Sequence, residues 1–368
     1  MIDHLSPTPP PVVLLYGLDE SSYDFEVAAT RTLVGSAEQA LRELGWRVKP
    51  VQITHDLVGP LRPFSPDEWL VFNLCEGSPT QAFYYANTAR VLAVMGYTFT
   101  GSDHVALDHT QFKWKMKSLL FRHGVPTPPW GIFESADEVS AENLCFDAFP
   151  AIVKPANEHC SYGITRDSVV LNLDEAQRQA AQVIDEFKGP ALIEEFMDSA
   201  EYNVSVWGSH QANAAVLGIS TMTYDAFSDI HDRLCTFEAK WDPKSVPYQR
   251  IPAVCPALVP PELKAEIERV SIDAFIASGC RDYGRIDLRL KDGHPMVLDV
   301  NANCDVSPDG GFANAAQAAG LSYGQMMEQI VRFAWQRAVH PAPELVPVDL
   351  TTVRNQLQRS IRGELVTA

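Results

Sequence analysis

Four residues in the C-terminal third of the chain are of the types that hold a hard cation beside a phosphate: Arg285, Asp287, Asp299 and Asn301. They lie in the stretch RDYGRIDLRLKDGHPMVLDVNANCDVSPDGG, Arg281 to Gly311. Two strand-like runs, Gly284 to Leu290 and Pro295 to Val300, flank a Lys291-Asp292-Gly293-His294 turn signal. Side chains alternate between the faces of a strand, so Arg285, Asp287 and Arg289 share one face. Asp299, Asn301 and Asn303 share one face if the second strand runs on a little. Ile286, Leu288 and Leu290, then Met296, Leu298 and Val300, take the opposite faces and read as core. The carboxylate and amide oxygens suit Mg²⁺, which is often held by one or two carboxylates plus substrate phosphates. A hairpin with one solvated polar face is the competing reading of the same alternation. Register separates the two, because a two-residue Asp292-Gly293 turn without a bulge would send one carboxylate to the other face.

The elements that must position these residues follow from patterning. Val12 to Tyr16, Arg47 to Ile53 and Trp69 to Leu74 read as strands, and Phe25 to Gly45 has helical spacing that ends at a glycine. Strands alternating with helices imply a parallel, doubly wound sheet, with ligands beyond the carboxyl ends of its strands. Glu76 follows one such end and is a candidate for gripping an amino group. A helix is expected from about Thr110 to His123, carrying Lys113, Lys115 and Lys117, and a lysine-bearing helix is usually a solvated face. The prolines at 126, 128 and 129 mark a boundary. Pro150 to Pro155 is a strand that delivers Lys154 to a polar loop, Ala156 to Gly163. A short strand near Ser168 to Leu171, a helix from Asp174 to Lys188 and strands at Ala191 to Phe196, Glu201 to Trp207 and Ala212 to Ser220 come next. Thr221 to Pro260 is long for a plain connection and suits a lid. Helices are expected at Pro261 to Ser278, Phe312 to Ala319 and Ser322 to Val339. Gly320-Leu321-Ser322-Tyr323-Gly324 matches G-x-S-x-G, but Ser322 with Gln325 fits a helix capping box better.

Composition narrows the class. The 368 residues are 46% hydrophobic and 21% charged, ordinary for a globular protein of two or three lobes. The net charge of −18 argues against non-specific nucleic-acid binding and against docking on an anionic membrane. The seven cysteines have no metal-ligand spacing, and the polar, proline-rich start lacks a signal-peptide layout; both point to a cytoplasmic protein. Neither a G-x-x-x-x-G-K-[ST] phosphate loop nor a G-x-G-x-x-G fingerprint is present.

The order of pieces is more specific than any one of them: Lys113, VKP with Lys154, a polar loop, IEEF followed by Glu201, EAKW with Lys240, and R-x-D followed by D-x-N. TGS at 100–102 and GVPTPP at 124–129 fall between them. This order resembles the ATP-grasp superfamily and, within it, the D-alanine:D-alanine ligase family, from about Val12 to Val339. The resemblance implies an α/β ATP-grasp fold with an N-terminal doubly wound parallel-sheet domain. Its expected parts are residues 1–124 as that N-terminal domain, 125–203 with the phosphate loop and adenine hinge, and 204–340 with the lid and metal site. Residues 341–368 form a tail.

The resemblance also implies roles. Lys113 and Lys154 contact the phosphates of ATP, with Ser161 in the phosphate loop. Glu194, Glu195, Phe196 and Met197 form the adenine hinge, Glu201 takes the ribose, and Lys240 reaches the γ-phosphate from the lid. Asp287, Asp299 and Asn301 bind Mg²⁺, as two ions, or Mn²⁺, and Arg285 steadies an oxyanion. The implied reaction is ATP-dependent joining of a carboxylate to an amine through an acylphosphate, with release of ADP and phosphate, in a homodimer. Departures cluster where the family holds its two D-alanines. Glu76-Gly77 stands for His-Gly, the first-loop signature is missing, His159-Cys160-Ser161 stands for Gly-Ser-Ser, and Ala302 to Pro308 has left the pattern. A different, amino-acid-like substrate pair is therefore expected, with Glu76 or Asp305 receiving a cationic amine and Gly310 and Gly311 nearby. The alternatives are D-alanine:D-alanine ligase itself and a non-ligase ATP-grasp protein that only binds nucleotide.

Overall fold

The structure is a computed structural model and describes residues 9–18, 24–76, 84–144, 146, 149–158, 161–209, 213–242 and 244–339. Gly77, His159, Cys160, most of the loop after Gly17 and the tail after Val339 lie outside the described residues. Strands β1 (Val12–Gly17), β2 (Val48–Ile53) and β3 (Leu70–Asn73) form a parallel sheet in the order β2-β1-β3. Helix α1 (Asp24–Glu43) connects the first two, as the glycine stop at Gly45 predicts. Helix α2 (Tyr85–Val94), which no reading of the sequence supplied, leads to a single parallel bridge between Val71 and Phe99.

The expected helix from Thr110 to His123 is two helices, α3 (His104–Gln111) and α4 (Lys113–Arg122). Phe112 between them is extended, at φ −103° and ψ 114°. The break fixes the place of Lys113. It makes Lys113 the first residue of α4, whose N–H has no partner within its own helix, and that N–H donates to the carbonyl of Ala156 in the phosphate loop at 3.2 Å.

The middle of the chain builds a mixed-order antiparallel sheet, β4-β7-β5-β6, from β4 (Trp130–Phe133), β5 (Ala151–Pro155), β6 (Val169–Val170) and β7 (Ala191–Glu195). Helix α5 (Leu173–Phe187) covers it, its N-terminus capped by Asn172. The third sheet, β11-β10-β8-β9, comprises β8 (Glu201–Gly208), β9 (Ala215–Met222), β10 (Asp282–Lys291) and β11 (His294–Asn301). The lid region contains α6 (Phe237–Trp241) and α7 (Val246–Arg250), followed by α8 (Pro261–Ala277), α9 (Gly311–Ala318) and α10 (Tyr323–Val339). Ser322 and Gln325 make the reciprocal bonds of a capping box at the start of α10, so the G-x-S-x-G match is a helix cap.

Three apolar clusters position the site. One runs through Phe133, Val153, Val170, Val183 and Ile193 and belongs to the middle segment alone. The other two are shared: Val13 and Leu15 of β1 pack in one cluster with Val204, Ile286 and Val300, and Val12 and Leu14 in another with Tyr283, Phe312 and Met326. Among the described residues no helix is long and apolar enough to cross a membrane.

Candidate active site

The hairpin β10–β11 places its carboxylates together by an irregularity. Asp292 and Gly293 both have positive φ, 51° and 85°, which is the two-residue primed turn that suits hairpin twist. That turn sets the register Lys291↔His294 through Leu288↔Val297, in which Asp287 would oppose Leu298. A bulge at Leu298 resets it to Asp287↔Asp299 and Arg285↔Asn301. The turn alone would have parted the two carboxylates, and the bulge restores them. It also corrects the expected core face of β11: Pro295, Val297 and Val300 are buried, while Met296 and Leu298 are only half-buried.

On the polar face Asp287 is the hub. It takes a two-pronged pair from Arg285, at 2.7 and 2.8 Å, and accepts from Asn203 of β8 and from Asn301, each at 3.0 Å. Burial opposes the charge of Arg285, but Asp287 outweighs it and the guanidinium is held more firmly protonated than usual. Asp299 faces Lys113, whose Nζ lies 3.8 Å away and donates to the Glu158 carbonyl at 2.6 Å. The donors here are two carboxylates and an amide, a set that fits Mg²⁺ when phosphate oxygens complete it. Among the described residues no group of three or more His, Cys, Asp or Glu gathers to hold a metal by itself.

Behind this face sits a pairing that the sequence concealed. Lys117 was read with the solvated lysines of its helix; its side chain is 1% exposed and meets Glu194 at 2.6 Å. Lys154 engages the other oxygen of the same carboxylate. Lys117 also donates to Thr127 Oγ1 at 2.9 Å, and Thr127 donates to the Val297 carbonyl at 2.8 Å. Burial alone would raise the Glu194 carboxyl, but Lys117 and then Lys154 outweigh it and keep it ionised. Glu194, expected in the adenine hinge, is thus enclosed and committed to orienting Lys154. The signal for Lys117 was its helical neighbours, since Met116 and Leu120 on the same side of α4 are buried too.

The other hinge residues are also engaged. The Glu195 carboxylate pairs with Lys291 at 2.6 Å, Phe196 and Met197 are buried, and the Met197 carbonyl accepts from Arg289 at 2.9 Å. Glu201 is held ionised despite its burial, through Arg289 and then Lys240, whose charge reaches it from α6. Ser161, at φ 62°, donates to the Cys235 carbonyl of the lid at 2.8 Å. Lys113 thus meets Asp299, Lys154 meets Glu194, the charge of Lys240 reaches Glu201, and Ser161 is tied to the lid.

The far end of the site is acidic. Asn303 donates to the Cys75 carbonyl at 3.3 Å and accepts from the Tyr283 hydroxyl at 2.9 Å, tying the loop after β11 to the end of β3. This brings Glu76 and Asp305 within electrostatic reach, and the Glu76 carboxyl is pushed up to about 7 by burial and then by the charge of Asp305. Glu76 as a whole residue stays exposed, so the part of this shift that a variant can isolate is the repulsion from Asp305. Neither carboxylate has an ion pair among the described residues. A Cβ on Gly310 would lie 2.8 Å from Asp305 Oδ2, so glycine there lets the carboxylate approach the start of α9. Gly311 opens α9 with free space around it.

The family described as D-ala D-ala ligase C-terminus matches residues 119–332, more than half of the chain. An uncharacterized protein, y4sG, of Sinorhizobium fredii is 29% identical over 312 residues, covering 83% of this chain and 88% of the relative. A D-alanine--D-alanine ligase of Methylacidiphilum infernorum is 25% identical over 303 residues, covering 82% and 89%. The D-alanine--D-alanine ligase of Bacillus anthracis complexed with ATP superposes with a TM-score of 0.65 at 18% identity, over 90% of this chain and all of that one. The chain belongs to the D-ala D-ala ligase C-terminus family and is an amide-forming ligase of the ATP-grasp type.

Proposed function

We propose that this ligase uses ATP to join an amino-acid-like carboxylate to a cationic amine-bearing partner, and that its substrate pair is not two D-alanines. The observation that carries this reading is the polarity of one continuous site. Lysines and a carboxylate–amide cluster stand at one end, and two unpaired carboxylates, Glu76 and Asp305, stand at the other.

The residues suit each stage. Lys113, Lys154 and Lys240 receive the phosphates, in a reaction where positioning and charge neutralisation do most of the catalysis. Mg²⁺ or Mn²⁺ held by Asp287, Asp299 and Asn301 would supply further neutralisation of the phosphoryl oxygens. The substrate carboxylate attacks the γ-phosphorus and ADP leaves, giving an acylphosphate. The amine then attacks the acyl carbon, and inorganic phosphate and a proton leave. Arg285 would meet the charge of the tetrahedral oxyanion; its Nε and Nη2 are held by Asp287, and its Nη1 makes no hydrogen bond among the described residues. The seated lid keeps water from the acylphosphate. Glu76 and Asp305 attract the cationic partner. By resemblance to the family, the assembly is a homodimer, which light scattering tests.

The test is an ADP-release screen of paired amino acids with Mg²⁺, followed by the mass of the product. Turnover that requires a basic or amine-rich component supports the reading. A comparable rate with D-alanine alone returns the reaction to that of D-alanine:D-alanine ligase.

A further inference from the structure

Arg289 has no assigned part in the reaction, yet it contacts three segments around the proposed nucleotide end. Its side chain is 4% exposed and lies on the same face of β10 as Arg285 and Asp287. Its three nitrogens reach three different segments. Nε meets Glu201 Oε2 at 3.2 Å, Nη1 donates to the Met197 carbonyl at 2.9 Å, and Nη2 donates to the Arg233 carbonyl in the lid at 3.1 Å. The guanidinium also lies over two rings, 4.4 Å from the centre of Tyr224, where the lid begins, and 5.2 Å from that of Phe196. Tyr224 donates to the same Glu201 Oε2 at 3.1 Å. Both fixed donors therefore hold one oxygen of Glu201, and Oε1 is left for a ligand.

We infer that Arg289 is a positioning residue that couples occupancy of the nucleoside end of the site to seating of the lid. The inference rests on the nucleotide reading of this site. One buried planar cation holds the backbone after β7, the carboxylate that would take the ribose and the lid backbone at once. A fork of fixed geometry can satisfy the three acceptors together only when the lid is down. A nucleoside that uses Glu201 and the hinge favours that arrangement, so by reciprocity a seated lid favours the nucleoside. The phosphates act on the lid by a separate route, through Lys240.

Limited trypsin cleavage within residues 223–260 reads the lid, with adenosine and tripolyphosphate as separate probes. In the parent protein each probe should slow cleavage, adenosine by roughly fivefold. In Arg289→Met, protection by adenosine should vanish while protection by tripolyphosphate persists, and KM for ATP should rise roughly tenfold or more with kcat within about threefold. Arg289→Lys should restore part of the adenosine effect. A merely structural role would lose both protections together, and that result, or undiminished adenosine protection in Arg289→Met, overturns the coupling. If Arg289→Met does not fold, Tyr224→Phe removes one donor to Glu201 and should weaken adenosine protection by about twofold; no change there counts against the coupling as well. A parent protein that is not protected by ATP itself would remove the nucleotide reading before any variant is made.

Discussion

The two ends of the site solve opposite electrostatic problems. At the proposed phosphate end the fixed charges are paired: Lys154 and Lys117 share Glu194, Lys113 leans on Asp299 and the Glu158 carbonyl, and Arg285 clasps Asp287, while Lys240 of the lid makes no ion pair among the described residues. At the acidic end Glu76 lies within the field of Asp305, both are exposed, and neither makes an ion pair among the described residues. A set of charges that is already neutralised can be kept rigid and general. A like-charged pair is costly until something cationic enters, so it selects its ligand. The difference suggests that chemistry is built into the first end and substrate choice into the second.

The largest effect should come from breaking the phosphate end. Asp299→Asn should cut ADP release by about a thousandfold at saturating substrate, as the loss of a group that meets developing charge does. A loss below tenfold would remove Asp299 from the chemistry. Glu194→Gln strands two buried ammonium groups and should lower unfolding stability by about 3–5 kcal/mol, measured by chemical denaturation. A variant as stable as the parent would show that Lys117 is not charged in the folded protein.

The acidic end should respond differently. Asp305→Asn should raise KM for the cationic component by about tenfold and leave KM for ATP unchanged. The pH dependence sharpens this. Burial of its carboxyl and then the charge of Asp305 push Glu76 up to about 7 from an ordinary 4.5, which favours the protonated form in the folded protein between those values. Stability from this group is therefore greatest below about 4.5 and declines as pH rises through 7, while affinity for a cation increases over the same range. In Asp305→Asn the rising limb of kcat/KM against pH should move to lower pH, and an unmoved limb would separate the two carboxylates. The smallest effect should be at Arg166, which pairs with Asp229 and Asp232 across the outside of the lid while 57% exposed. Arg166→Ala should change stability by less than about 1 kcal/mol, and that little should fade with salt.

Much of this contrast was legible in the chain. The order of lysines, carboxylates and strands pointed to the fold and to the polar face, because alternation and helical spacing are local properties. What stayed hidden depends on contacts between distant segments. Lys117 looks like any surface lysine until Glu194 arrives from 77 residues away. Arg289 shares a strand face with Asp287, but only the approach of Met197 and Arg233 gives it a task. The bulge at Leu298 left no mark in the hydrophobic pattern, so the wrong residues of β11 were expected in the core. The split between α3 and α4 turns on one extended residue, Phe112, whose type does not announce it.

The middle segment begins at β4 and ends at β7, and these strands are neighbours, with Trp130 directly opposite Glu194. It enters and leaves the molecule through two points roughly 5 Å apart, and it carries its own apolar cluster while the flanking parts share theirs. In genealogical terms it has the layout of an insert, a cassette that an older continuous body could accept without re-threading. Recombination could replace such a cassette as a unit. Among the parts it could not carry along is Lys117, which lies upstream in α4 and whose partner Glu194 lies within the segment, so an exchanged cassette would have to bring its own carboxylate to that lysine.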